Sequence, residues 1–151
     1  MEISNLIIFA ILIAFTAFFV ATEFAIVKVR RTRVEQLAQE GNKNAIVLKK
    51  MIKNLDGYLS ACQLGITITA LGLGWIGEPT FSHFIDPIFS AINLPESVTR
   101  TFSFLTVFGL VTFLHVVVGE LAPKTAAIIK AEKISLLFAR PLHWFYVIAF
   151  P

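Results

Sequence analysis

The stretch that decides the fold is the apolar run from Ile3 to Val27, ISNLIIFAILIAFTAFFVATEFAIV. Wound as an α-helix, this run is long enough to cross about 30 Å of hydrocarbon. It carries a single charged residue, Glu23, near its end. The basic residues follow the run instead of preceding it, which is typical of a membrane anchor with its N-terminus outside the cytoplasm and not of a cleavable signal peptide. The run therefore predicts a first transmembrane helix.

The composition of the whole chain also indicates a membrane protein. The 151 residues correspond to one domain, and 56% of them are hydrophobic, with a mean hydropathy of +0.77. The net charge of +3 is small, and no basic stripe interleaved with aromatic residues suggests a nucleic-acid partner. No nucleophile–base pattern, paired metalloprotease histidines or phosphate-binding loop indicates an enzyme. We expect a multi-pass protein of the cell (plasma) membrane, with the lipid bilayer as its partner.

Three further apolar segments follow the first: Tyr58 to Ile76, Phe102 to Val118 and Ile134 to Phe150. The last is interrupted by Arg140 and Pro141, and it can be re-entrant, interfacial or a fourth crossing. The predicted fold class is an all-α integral membrane domain. It has three transmembrane helices with the N-terminus outside, a cytoplasmic juxtamembrane amphipathic helix and a fourth short membrane-embedded segment.

The charged residues between these segments indicate their orientation. Eight Lys and Arg residues fall within 28–56, which predicts that this region faces the cytoplasm. The connection over 77–101 is mainly acidic, as an outside loop would be. Within 34–52, apolar residues recur at helical spacing among charged ones, a pattern that predicts an amphipathic helix on the inner membrane surface. Gly41 and Asn42 are expected to kink or interrupt it.

Polar residues inside apolar segments are the best indicators of function, because polar groups are costly in lipid. Ser60, Gln63 and Thr67 recur at helical spacing on one face of the second segment, where they either line a site or hold helices together by hydrogen bonds. Thr22 and Glu23 lie near the inner end of the first segment. Glu23 either faces the bundle interior or extends to the interface and pairs with a nearby Lys or Arg.

Glu120 stands in the sequence GELAPK, residues 119–124, directly after an apolar run. Gly119 loosens the helix and Pro123 removes a backbone donor, so nearby carbonyl oxygens lose helical partners. A carboxylate beside free carbonyls is a candidate site for a hard cation, which prefers oxygen ligands. The alternative is that the third segment ends here and Glu120 lies at the interface. Both interpretations stay open.

Three stretches together resemble the membrane domain of the CNNM/CorC magnesium-transporter family. They are FFVATEFA at residues 18–25, the sequence from Asn54 to Gly65 with its Ser-x-x-Gln-x-Gly pattern, and GELAPK at residues 119–124. Their order and spacing match the family, and the resemblance covers essentially the whole chain. By this resemblance, residues 1–151 form one transmembrane domain, which in family members precedes cytoplasmic regulatory domains.

The resemblance implies a homodimer that binds Mg²⁺ from the cytoplasmic side and exports it, with Na⁺ as the driving ion. Carried over by position, it nominates Thr22, Ser60, the Gly119 carbonyl and Glu120 as metal ligands. The chain departs from the family at Ile66, where many members carry a ligating Asn. Gln63 is therefore added to the predicted ligands, as a residue that could compensate for this loss.

Three hypotheses about function remain open at this stage. The first is a transporter of Mg²⁺ that uses the site around Glu120. The second is a membrane anchor and dimerisation module for cytoplasmic regulatory domains, in which the polar residues only hold helices together. The third is a transporter of another cation, which the departure at Ile66 allows.

Overall fold

The computed structural model describes residues 2–150, and this part of the chain consists of helices joined by short turns, without β-strands. The expected end of the domain at Pro151 lies outside the described residues. The all-α class predicted from the sequence is confirmed. The elements are α1 (Glu2–Lys28), α2 (Arg31–Gln39), α3 (Lys43–Lys53), α4 (Leu55–Ser90), α5 (Glu96–Leu114), a π-helix (His115–Leu121), α6 (Ala122–Ile129) and α7 (Ala131–Ala149).

Three helical stretches within residues 2–150 are long and apolar enough to cross a membrane: Ile3–Lys28, Leu55–Ser90 and Glu96–Ile129. The third combines α5, the π-helix and α6 into one continuous rod. At about 1.5 Å per residue, each stretch exceeds the roughly 30 Å of a bilayer core. The described residues thus contain the three crossing helices that the sequence predicted.

The connection between the second and third crossings is shorter than predicted. The acidic residues of 77–101 suggested an outside loop, but α4 continues to Ser90 and α5 begins at Glu96. The prediction of a loop over this whole range was wrong. Gly77 does not end the helix; it is buried, and side-chain atoms of Phe9 and Val111 lie 3.0–3.1 Å from the position that a Cβ would take. The glycine permits close packing, which keeps α4 helical between α1 and α5.

Among the glycines of residues 2–150, the closest approach of another side chain is at Gly65, where α4 packs on α1. The Phe19 ring lies only 2.5 Å from the position that a Cβ on Gly65 would occupy, so this contact exists only because Gly65 has no side chain. One helical turn further along α4, the buried hydroxyl oxygens of Thr16 and Thr69 lie 2.7 Å apart. A hydrogen bond of this kind between membrane helices stabilises them by about 0.6 kcal/mol on average. Close approach and a polar bridge therefore fix α4 against α1.

The predicted juxtamembrane helix is present as two helices, α2 and α3, broken where the sequence indicated. Gly41 has a φ of +89°, a left-handed conformation that glycine adopts without strain. The Asn42 side chain then caps α3 by accepting a hydrogen bond from the Ala45 backbone N–H at 3.1 Å. Val34 of α2 and Leu48 of α3 are buried in the same core cluster, so the apolar faces of both helices point inward.

The fourth apolar segment forms α7, which continues as a helix through Pro141. Near its start, Glu132 bonds Arg33 of α2 at 3.1 Å. Near its end, the Tyr146 hydroxyl accepts a hydrogen bond from Asn54, directly before α4, at 2.9 Å. Because 28–54 connects α1 to α4 on one side of the membrane, both ends of α7 lie on that side. This segment packs against α1 and α4 and is not among the three stretches that are long and apolar enough to cross a membrane.

The contact between Gly65 and Phe19 generates a stability prediction. Gly65→Ala places a methyl group against a ring that is itself packed on Phe18 and Phe145, so the ring cannot move freely. We expect Gly65→Ala to lower the free energy of unfolding by about 1–3 kcal/mol, the usual range for overpacking. Thermal or denaturant unfolding of the purified protein measures it.

Gly74 provides the matched control on the same helix. A Cβ at Gly74 meets no atom within 4 Å, so Gly74→Ala should leave stability unchanged or slightly raised. Equal destabilisation by both substitutions would show that loss of glycine flexibility in α4, and not the contact with Phe19, is the cause.

Candidate functional site

A π-helix interrupts the third crossing where the sequence reads HVVVGEL, residues 115–121. The backbone N–H of Ala122 bonds the carbonyl of Val117, five residues earlier, as in π geometry. Pro123 follows and has no N–H, so the regular i→i−4 bond to the Gly119 carbonyl cannot form. Gly119 itself is buried, and a Cβ there would lie 3.2 Å from His115 and 3.4 Å from Thr16. The missing side chain lets this segment approach α1 closely.

A cavity of about 310 Å³ opens between α1, α4 and the junction of the π-helix with α6. It brings together side chains that are far apart in the sequence, and polar and apolar groups share its wall. Two carboxylates, an amide and an ammonium group account for the polar part. The lining residues are Val20, Glu23 and Phe24 from α1, Gln63 and Ile66 from α4, and Glu120, Leu121 and Lys124 from the third crossing.

Glu23 and Gln63 form a direct link between α1 and α4 inside this cavity. The Gln63 Nε2 donates a hydrogen bond to the Glu23 Oε1 at 2.9 Å. Glu23 thus faces the bundle, and within residues 2–150 it forms no ion pair with a Lys or Arg. The bond uses the amino group of Gln63, so its side-chain oxygen is not used in this bond, and both residues line the same cavity. Of the two interpretations that the sequence allowed for Glu23, the structure supports the inward one.

Lys124 brings a positive charge to the same wall. Its Nζ lies 4.8 Å from the centre of the Phe24 ring, within the range of a cation–π interaction. The ring holds the ammonium group at the edge of a cavity that also exposes Glu23 and Glu120. The lining therefore carries two carboxylates against one ammonium group, which gives it an excess of negative charge when all three are ionised.

Glu120 also lies close to His115, at the first residue of the π-helix. The Glu120 Oε1 is 3.6 Å from the His115 Nε2, which is buried and has no hydrogen-bond partner within residues 2–150. His115 also lines a second cavity, of about 400 Å³, on the other side, between α4 and α5. Glu78 and Thr112 supply polar groups to that second cavity. The His115 side chain therefore lines the second cavity and lies beside Glu120, which lines the first.

Of the five predicted ligands, two line the cavity and three do not. Gln63 and Glu120 line it. Thr22 is fully buried, and its hydroxyl donates to the Phe18 carbonyl at 2.6 Å, a common use of Thr in membrane helices. Ser60 is exposed, and Gly119 is buried beneath His115; neither lines the cavity. All five remain predictions as ligands.

Oxygen chemistry dominates this cavity, and nitrogen and sulfur ligands do not cluster there. No group of three or more His, Cys, Asp or Glu side chains able to hold a metal occurs within residues 2–150. A cation held at Glu23 and Glu120 would need oxygens from amides, hydroxyls, carbonyls or water to complete its shell. Ile66 lines the same wall and cannot ligate, so the departure noted in the sequence falls directly on the cavity.

Comparisons with known proteins agree with the earlier resemblance. The family model of the Cyclin M (CNNM) transmembrane N-terminal domain matches residues 7–151. Among the relatives are the UPF0053 proteins YhdP and YrkA of Bacillus subtilis (strain 168). YhdP is 59% identical over 100% of this chain and 34% of its own length. YrkA is 60% identical over 97% of this chain and 34% of its own length. A Mycobacterium tuberculosis protein, Rv1841c, is 32% identical over 92% of this chain and 39% of its own length. The chain spans about a third of the length of these Bacillus subtilis relatives.

The cavity generates a prediction about access for water. A cysteine at Ile66 would stand in the cavity wall, whereas the native Cys62, one turn earlier on α4, is fully buried. We expect a charged, membrane-impermeant thiol reagent to modify Ile66→Cys from the side of α2 and α3, while the wild-type protein stays unmodified. Mass spectrometry of labelled, reconstituted protein measures the difference. An unmodified Ile66→Cys would mean that the cavity is closed to water.

Proposed function

The chain belongs to the CNNM family as its transmembrane N-terminal domain, and from that premise we propose that it exports Mg²⁺ across the plasma membrane. Na⁺ entering the cell is the proposed driving ion. The observation that supports this function is the cavity in which Glu23, Gln63 and Glu120 meet, three polar side chains contributed by all three crossing helices. Charged residues inside membrane helices are costly and are kept where they line ion pathways. A simple anchor does not need them there.

The chemistry of the cavity suits a hard divalent cation. Mg²⁺ is bound by oxygen ligands in octahedral geometry and usually keeps several waters, with one or two carboxylates from the protein. Glu23 and Glu120 supply two carboxylates, and the Gln63 carbonyl oxygen supplies a neutral ligand. At about 30 Å³ for each water, a cavity of about 310 Å³ has room for a partly hydrated ion. The Thr22, Ser60 and Gly119 oxygens would join only after local rearrangement.

Lys124 gives this site a way to remain stable without an ion. Its ammonium group, held by the Phe24 ring, partly neutralises the two carboxylates. An entering divalent cation would compete with Lys124 for them, and a leaving cation would be replaced by it. This exchange lowers the cost of an uncompensated charge in a low-dielectric environment.

We further propose that the domain acts as a homodimer, as the family resemblance implies. The second cavity, between α4 and α5, is lined by Phe104 and Phe108, whose side chains are exposed in the single chain. A second copy could cover this apolar surface, and so could lipid. Cross-linking of the reconstituted protein, read as the mass of the cross-linked species, distinguishes the two.

Glu120 generates the central test of the transport function. We expect Mg²⁺ to raise the melting temperature of the purified wild-type protein and to enter or leave liposomes that contain it. Glu120→Gln keeps the size of the side chain and removes its charge, so Mg²⁺ affinity should fall at least tenfold, or about 1.4 kcal/mol, and flux should be lost. Titrations with Mg²⁺, Mn²⁺ and Na⁺ compare the ions.

Glu40, which is exposed at the end of α2, is the matched control for this test. Glu40→Gln removes the same charge far from the cavity and should leave Mg²⁺ affinity and flux unchanged. If the wild type shows neither Mg²⁺ binding nor flux, the domain is an anchor and dimerisation module. If Mn²⁺ binds and Mg²⁺ does not, it carries another cation.

Ile66 generates a second prediction, in the direction of improved binding. Ile66→Asn places an amide oxygen in the cavity wall next to Gln63, where the family usually has this ligand. A hydrogen-bond-like contact to a charged ligand contributes about 1.5 kcal/mol, so Mg²⁺ affinity should rise about tenfold. The same titration measures it. An unchanged affinity would place the ion elsewhere than beside Ile66.

A further inference from the structure

A third cavity, of about 430 Å³ and lined by polar residues, lies where α1 ends and α2 begins. Arg30 is two residues beyond Lys28, the last residue of the first crossing, so this cavity lies at the level of the lipid headgroups. It is separate from the cavity that contains Glu120 and shares no residue with it. The lining residues are Arg30, Thr32, Arg33, Gln36 and Glu132.

The two arginines that line this cavity differ in their side-chain contacts. Arg33 is held in place, because its Nε donates to Glu132 at 3.1 Å and its Nη1 donates to the Gln36 side-chain oxygen at 3.1 Å. The Arg30 side chain forms no hydrogen bond or ion pair within residues 2–150, although it lines the same cavity. Glu132 is the one carboxylate in the lining, and Arg33 already compensates it. An uncompensated guanidinium group, an oriented one and the Thr32 hydroxyl therefore remain as donors.

We propose that this cavity binds the phosphate of an anionic phospholipid. Guanidinium groups match phosphate oxygens in geometry and in charge, and a hydroxyl adds a further donor. Basic pockets beside membrane helices on the cytoplasmic side are suited to acidic lipid headgroups. The proposal concerns a surface that the transport function does not use, and it stands or falls separately from that function.

The neighbouring surface favours a lipid over a free phosphate ion. A shallow groove of about 550 Å³ adjoins the cavity through Glu132 and continues along the turn from α6 to α7. Lys130 and Lys133 contribute charge to this groove, and Ile129, with 73% of its side chain exposed, contributes an apolar surface. A phospholipid has a phosphate for the arginines and acyl chains for the apolar surface. Inorganic phosphate would use only the cavity lined by Arg30 and Arg33.

Binding at this position would also stabilise a weak contact between α2 and α7. The ion pair between Arg33 and Glu132 connects α2 to α7, but both side chains are nearly half exposed. Exposed ion pairs of this kind stabilise a protein by little in water. A phosphate contacted by Arg30 and Arg33 would tie the end of α1 to α2, with acyl chains lying over the start of α7. We therefore expect the lipid to stabilise the juxtamembrane layer.

The test compares lipids added to the full chain, purified in detergent and stripped of native lipid. We expect dioleoyl phosphatidylglycerol to raise the melting temperature and to appear as a bound adduct in native mass spectra, and dioleoyl phosphatidylcholine to do neither. Arg30→Gln removes a charge that has no partner in the described structure, so it should not affect folding. It should weaken phosphatidylglycerol binding about fivefold, the effect of one Arg near an anionic headgroup.

Arg100→Gln is the matched control, because Arg100 lies at the opposite end of the bundle, at the start of α5, and should not change phosphatidylglycerol binding. Equal binding of the two lipids, or unchanged binding by Arg30→Gln, would overturn the proposal. Inorganic phosphate, added at the same concentration as the lipid, tests the other source. A response to it as large as the response to phosphatidylglycerol would identify a free-anion site and also overturn the lipid assignment.

Discussion

The close packing of α1 on α4 is the contact on which the rest of the structure depends. Gly65 allows the Phe19 ring to lie against the α4 backbone, and Thr16 and Thr69 exchange a hydrogen bond where neither could reach water. In lipid, apolar surfaces gain little from meeting each other, so helices associate through close van der Waals contact and satisfied polar groups. This interface also aligns Glu23 with Gln63, and α7 lies across it. The cavity thus depends on Gly65 and Thr69, two small residues one helical turn apart on α4.

Much of the architecture could be predicted from the sequence because it depends on local patterns. The apolar run from Ile3 to Val27 predicts α1 to within one residue at each end, and Gly41 with Asn42 marks the break between α2 and α3. Predictions failed where a local signal has two meanings. The glycines at 72, 74 and 77 can end a helix or permit close packing, and only the folded structure shows that Gly77 serves a contact with Phe9 and Val111. The position of α7 likewise depends on tertiary contacts.

The candidate site shows the same division between local and distant information. Gln63 and Glu120 stand out in the sequence because they interrupt or border apolar runs, and both line the cavity. The role of Glu23 could not be predicted, because its partner, Gln63, lies 40 residues away along the chain. Thr22 was nominated by the family resemblance, and its hydroxyl is instead bonded to the Phe18 carbonyl. His115 begins the π-helix and lies beside Glu120, and no periodicity in the sequence predicts that π-helix.

The π-helix also sets the rotational phase of everything that follows it. A regular α-helix turns about 100° and rises about 1.5 Å with each residue, so one surplus residue in this segment rotates the remaining helix by that angle. Lys124, which meets the Phe24 ring, and Phe138 of α7, which packs on Phe18, both follow this offset in the chain. The number of residues between Leu114 and Ala122 is therefore as much a part of the site as their identities. In a chain shorter by one residue here, Lys124 and the residues after it would face a different side of the helix.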